Sequence, residues 1–159
     1  MAKIYESPRD LIGQEGTKLG PTDWLAIDQT RVNGVAEVTG DHQWIHVDVE
    51  RAKDGPFGGT IAHGYLTLSL GPYLYPQIVQ FGGFSMGVNY GANKIRFPSP
   101  VPVGANLRLG VKILQVEDIA GGVQLTLEFS FECEGASKPS CVAEVVFRHP
   151  VVRSLVYAE

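Results

Sequence analysis

Along the first third of the chain the apolar positions recur at helical spacing only once. Val32, Val35, Ala36 and Thr39 fall on one face of a segment that Asp28 can cap and Gly40 can end. Upstream of it, Ser7-Pro8 followed by Arg9 to Ile12 and Gly13 predicts a short helical turn, with serine as cap, proline at the first position and glycine as terminator. Asp23 to Ile27 reads as a short strand. From Asp41 to Gly59 no period is sustained, and the segment closes with Gly55-Pro56 and Gly58-Gly59, so an irregular loop is expected there. Thr60 to Ile78 then carries so many apolar residues (Ile61, Ala62, Tyr65, Leu66, Leu68, Leu70, Tyr73, Leu74) that a helix buried nearly all round is expected. Gly71-Pro72 should kink it, and Pro76 should mark its end, because proline removes a backbone donor and clashes with the preceding turn.

The second half follows a different period. Phe84, Met86, Val88 and Tyr90 alternate with Ser85, Gly87, Asn89 and Gly91, and Leu107, Leu109, Val111 and Ile113 open a second alternating run. Gly121-Gly122 predicts a hairpin turn into Val123, Leu125, Leu127, Phe129 and Phe131, with Glu128 and Glu132 on the wet face. Taking Ala136 to Lys138 as the next turn brings the chain back through Cys141, Ala143, Val145 and Phe147, and places Cys133 opposite Cys141 as free thiols. A capped helix, a central apolar helix and a meander of long antiparallel strands predict an α+β domain whose sheet wraps the helix. A β-sandwich is the alternative, but it has no place for so apolar a helix between its strands.

Composition narrows this further. The chain has 159 residues, 44% of them apolar, which supports one core; we expect a single domain over 1–159, with 1–22 as a lead-in and 151–159 as a tail. A net charge of −4 argues against broad nucleic-acid binding, so no nucleic-acid partner is expected. Apolar runs stop well short of the roughly 20 residues that span a bilayer, and the amino terminus lacks an apolar signal core, so no membrane partner and a cytoplasmic location are expected. Two cysteines make neither a disulfide scaffold nor a four-ligand zinc site.

The candidate chemistry lies in the irregular segment. Val38-Thr39-Gly40-Asp41-His42-Gln43-Trp44-Ile45-His46, with Ala52 beyond it, resembles the signature of the MaoC-like (R)-specific enoyl-CoA hydratases, and Asp41 and His46 fall on that family's invariant Asp and His. Thr60-Ile61-Ala62-His63-Gly64 resembles the start of the family's central helix, and Asn93 to Pro98 with Pro100-Val101 resembles its following strand. One departure is that Gln43-Trp44 stand where the family usually has Asn-Pro; without that proline, packing of Trp44 is expected to fix the loop.

The resemblance implies a hot-dog fold, a side-by-side homodimer, and addition of water to a trans-2-enoyl-CoA thioester at Asp41 and His46, with no metal and no cofactor beyond the coenzyme A of the substrate. Physical chemistry agrees on one point. Five helical positions at about 100° each would put the two side chains on different faces, so they can converge only in a loop, which Gly40 makes possible. The N–H of Gly64, at the positive end of the central helix, is the candidate to hold charge developing on the thioester oxygen. Lys94 and Arg96 are candidates for the coenzyme A phosphates, against the plainer reading of a solvated strand face. His63 reads as structural, bonding nearby backbone. A hot-dog thioesterase is the alternative enzyme, and a non-catalytic acyl-thioester-binding subunit is the alternative of another class.

Overall fold

A computed structural model describes residues 1–84 and 86–150. Strand β1 (Lys3–Tyr5) leads into a 3-10 turn over Pro8–Leu11, where Ser7 accepts from the Arg9 amide and Asp10 bonds back to the Ser7 amide, the reciprocal arrangement of a capping box. Two short strands follow, β2 (Lys18–Leu19) and β3 (Leu25–Ala26). Helix α1 (Gln29–Thr39) is capped by Asp28, whose carboxylate accepts from the Arg31 amide, and it stops at Gly40 with φ 78°. Its inward face is the expected one: Val32 and Ala36 are buried, and Val35 is half-buried.

The segment expected to be a structureless loop contains two short helices, α2 (Trp44–Val47) and α3 (Val49–Lys53). Asp48 caps the second by accepting from the Arg51 amide. These helices are too short to stand on propensity. Tertiary bonds hold α2: the Ile61 amide donates to the Ile45 carbonyl at 3.0 Å, and Gln29 Nε2 donates to the His46 carbonyl at 2.7 Å.

The expected helix from Thr60 begins later and is broken. Thr60 to Ala62 are extended against Val101 to Val103, with Ala62 donating to the Val101 carbonyl and Val103 to the Thr60 carbonyl. Helix α4 (Gly64–Ser69) runs through Leu70 into α5 (Gly71–Leu74), and a 3-10 turn over Tyr75–Gln77 ends it at the second proline. Burial is one-sided: Leu66, Leu70 and Leu74 are in the core, but Tyr65 is 75% exposed and Tyr73 59% exposed. Tyrosine counted as an apolar position hides a face that is open.

Strand β4 (Val79–Phe81) pairs in parallel with β1, away from the main sheet. The main sheet is built from β5 (Val88–Arg96), β6 (Asn106–Ile119), β7 (Gly122–Cys133) and β8 (Cys141–Pro150), with β2 and β3 pairing with β6, in the order β2-β6-β7-β8-β5. Every pairing in it is antiparallel. Leu107, Leu109 and Ile113 face Leu125, Leu127, Phe129 and Phe131 in one core that also takes in Leu66, Leu70 and Leu74. This is the expected α+β hot-dog arrangement, a long antiparallel sheet wrapped on a central helix.

Two details of the sheet differ from expectation. The regular strand starts at Val88 rather than Phe84; of the alternating residues, Ser85 lies outside the described residues, as does the expected tail 151–159. The β7–β8 hairpin pivots on Ala136, so Cys141 faces Phe131 rather than Cys133, and Cys133 faces Leu107 on the other side. Moving the pivot by one residue moves each partner by two. Both cysteines are free, as expected. Among the described residues no helix is long and apolar enough to cross a membrane.

Candidate active site

The geometry around Asp41 grows out of the stop at Gly40. Thr39 Oγ1 accepts from the Asp41 amide, and Asp41 Oδ1 accepts from the Gln43 amide at 3.3 Å, so the chain turns back on itself immediately after α1. The turn lets Trp44 begin α2 and carries His46 inward. Trp44 packs as expected: the Arg51 guanidinium lies 4.4 Å from its ring centroid, and a β-carbon on Gly55 would come within 2.9 Å of the ring, so only glycine allows this close approach.

His46 is buried, with 7% of its surface exposed, and its Nδ1 lies 2.7 Å from the Ile61 carbonyl oxygen. A carbonyl can only accept, so Nδ1 carries the hydrogen and the neutral ring keeps Nε2 as its proton acceptor. The ring stacks on that of His63, with centroids 3.9 Å apart and planes 25° from parallel. By the same logic His63 Nε2 donates to the Asp41 backbone carbonyl at 3.0 Å, and it lies 3.9 Å from Asp41 Oδ2. His63 is thus the backbone-bonding residue expected. It ties the Asp41 turn to the start of α4.

One oxygen of Asp41 and one ring nitrogen from each of His46 and His63 lie within 4.8 Å of one another. That spacing lets a single water bridge the carboxylate and an imidazole, because two hydrogen bonds of ordinary length span it. These three side chains are also the set that could offer ligands to a metal ion. Stacked imidazoles suit that poorly, since their lone pairs lie in nearly parallel ring planes and do not converge on one point. Asp41 itself is half open to solvent, its side chain 54% exposed.

Gly64 is the first residue of α4, where the leading amides have no partner within the helix. A β-carbon there would meet the Phe97 ring at 3.1 to 3.2 Å. Beside this helix start opens a cavity of about 680 Å³, walled by Thr39, Tyr65, Leu66, Ser69, Pro72 and Phe147 among others. Asp41 and His46 are not among the residues that wall it, although Thr39, two residues before Asp41, is. Lys94 and Arg96 project from β5 and are exposed; Arg96 Nη1 donates to the carbonyl of its neighbour Ile95, and neither residue forms an ion pair among the described residues. Gln29 was not singled out from the sequence. Its amide bonds the His46 carbonyl and receives the Thr60 hydroxyl at 2.6 Å, joining α1, α2 and the extended lead into α4, and a helical glutamine carries no sequence signal for such a role.

The MaoC-like domain family matches residues 12–129, which take in α1, the Asp41 to His46 turn, the central helix and most of β7. This chain belongs to the MaoC-like family. It is 50% identical over 148 residues to the 3-hydroxyacyl-thioester dehydratase Z of Mycobacterium tuberculosis, an alignment that covers 92% of this chain and 98% of the relative. It is 40% identical over 143 residues to nodulation protein N of Rhizobium leguminosarum, covering 84% and 85% of the two chains. An R-hydratase structure from Pseudomonas aeruginosa superposes with a TM-score of 0.69 at 22% identity, over 87% of this chain and 83% of that one, a likeness of fold. In this chain the Asp41–His46–His63 group lies at the amino end of the central helix.

Proposed function

We propose that this MaoC-like protein is an (R)-specific enoyl-CoA hydratase that adds water reversibly to trans-2-enoyl-CoA to give (R)-3-hydroxyacyl-CoA. The observation that carries the reading is the approach of the Asp41 carboxylate to a buried imidazole whose remaining ring nitrogen is a proton acceptor. Support comes from the M. tuberculosis relative, a 3-hydroxyacyl-thioester dehydratase, and from the likeness in fold to an R-hydratase.

In this reading Asp41 and His46 hold one water between them. As the water oxygen bonds to C3, His46 Nε2 accepts its proton, the C2–C3 π pair moves toward the thioester, and negative charge develops on the thioester oxygen. The Gly64 N–H donates to that oxygen, and transfer of the proton held by His46 to C2 completes the addition and restores the neutral imidazole. Dehydration is the same sequence reversed. No metal and no separate cofactor take part. Lys94 and Arg96 meet the coenzyme A phosphates as exposed cations on the strand next to the cavity.

The protein works as a homodimer in this reading. Strand β5 pairs only with β8 among the described residues, and nearly its whole length is exposed, including Val88 and Tyr90. An unpaired edge of this length is a template for a second copy. Light scattering at micromolar concentration should report a dimer, and a monomer would remove this part of the proposal.

A hydratase assay on crotonyl-CoA tests the central claim. Wild-type protein should yield 3-hydroxybutyryl-CoA of R configuration, and Asp41→Asn and His46→Gln should each lower turnover by roughly 10² to 10⁴ while the proteins stay folded, the range for loss of a positioned acid or base. Full turnover in either variant, or release of free thiol without a hydroxyacyl product, would refute it.

A further inference from the structure

A second cavity, of about 420 Å³, lies beyond the one beside α4 and shares Pro72 and Phe147 with it as common wall. Its remaining wall is largely aromatic, formed by Tyr75, Phe81, Phe84 and His149, with Gly87 against the histidine. Three polar atoms on these walls have no hydrogen-bond partner among the described residues: the Tyr75 hydroxyl and both ring nitrogens of His149. Both side chains are more than nine-tenths buried, Tyr75 at 8% exposure and His149 at 5%. Buried polar atoms are nearly always paired, so three unpaired ones around one hollow call for an explanation. The edge-on ring of Phe84, 4.9 Å from His149, can take up one N–H weakly, but it leaves the imidazole lone pair and the phenol unmatched.

The chemistry of the wall limits what can satisfy these atoms. No carboxylate, lysine or arginine lines the cavity, and burial pushes the His149 pKa below its ordinary value, so the ring is neutral and offers one donor and one acceptor. A charged group would be left without a counter-ion in an apolar box. An uncharged oxygen, able to give and receive hydrogen bonds, matches the phenol and the imidazole together. Gly87 fits this picture, because a β-carbon there would lie 3.1 Å from His149 Cε1 and crowd the ring.

We propose that the second cavity receives the far end of the acyl chain, and that Tyr75 and His149 select chains that carry an uncharged hydroxyl group there. The inference rests on the hydratase reading, since it takes the first cavity as the route from the thioester. Tyr75 and His149 set specificity and touch no reacting atom.

The test compares crotonyl-CoA, dodecenoyl-CoA and ω-hydroxydodecenoyl-CoA as substrates for the wild-type protein and for Tyr75→Phe and His149→Phe. Wild type should favour the hydroxylated long chain over the plain one by about tenfold in kcat/KM, the size of one to two neutral hydrogen bonds to otherwise unmatched groups. Each variant should lose most of that preference while its rate on crotonyl-CoA, whose chain is too short to reach the second cavity, stays at the wild-type level. Tyr75→Phe removes only a hydroxyl without a partner, so its Tm should equal or exceed that of wild type, and it serves the test even if His149→Phe folds poorly. Equal wild-type rates on the two long chains, or equal losses on both in the variants, would overturn the inference with the hydratase reading intact. Failure of wild type to hydrate crotonyl-CoA would overturn both.

Discussion

The strands β6 to β8 and the turn from Asp41 to His46 are held by different means. In the strands, buried side chains repeat every second residue, and Leu107, Leu109, Leu125, Leu127 and Phe131 have no exposed surface at all. The site turn has almost no core of its own. Its order comes from a few directed bonds: His63 to the Asp41 carbonyl, His46 to the Ile61 carbonyl, and Gln29 to the His46 carbonyl. Apolar burial is additive and tolerant, whereas directed bonds fix a geometry and fail one at a time. A reacting pair needs the second kind of order, supported by the first.

The sharpest way to break the comparison is in the sheet. Phe129 is 1% exposed and packs against Tyr75, Phe131 and Phe147, so Phe129→Ala should cost about 3 to 5 kcal/mol in a urea titration, the range for a large buried aromatic. The site turn should respond in the opposite sense. His63→Phe keeps a ring to stack on His46 but removes the bond to the Asp41 carbonyl; kcat should fall by up to about a hundredfold, as misplacement of a reacting group by 1 Å can do, with little change in KM or in the urea midpoint. A kcat at the wild-type level would mean that the turn holds without this bond. Asp28→Ala, which removes the cap of α1 and loosens the helix that carries the turn, should cost about 1 kcal/mol of stability by the same titration.

The smallest effect concerns a single proton in the sheet half. Burial holds the pKa of His149 in the folded protein below the ordinary imidazole value. Between those two values the unfolded chain takes up a proton that the folded chain refuses. Stability is therefore complete above the ordinary value and falls as the pH drops through the interval. Urea midpoints measured from neutral to mildly acid pH should decline in the wild type and decline less in His149→Phe. Identical slopes would show that His149 titrates alike in both states.

The same division marks what could be read without coordinates. The period-2 runs of β6 and β7, the Asp28 cap and the Gly40 stop of α1 are local rules, and each stands where the residues imply. So does the break at Gly71-Pro72, where α4 gives way to α5. Pairing of Asp41 with His46 was legible from the motif and from the impossibility of a shared helical face. What could not be read depended on contacts distant in sequence. Helix α2 is held because Ile61 and Gln29 bond to it, and Thr60 to Ala62 are extended because Val101 to Val103 take up their backbone groups. The stack of His63 on His46 joins residues 17 apart that no period connects.

The order of residues alone decided where β6 and β7 run and where α1 is capped and stopped, since alternation and end-capping act over a few positions and need no partner from elsewhere. It also decided which carboxylate and which imidazole are available to meet. Only the folded chain decided that Tyr65 and Tyr73 look outward, that the cysteines face other partners, that one imidazole nitrogen of His46 stays open, and that two polar side chains sit unmatched in an aromatic hollow. Those outcomes depend on which distant segment supplies the neighbouring atom, and packing in three dimensions is what makes that choice.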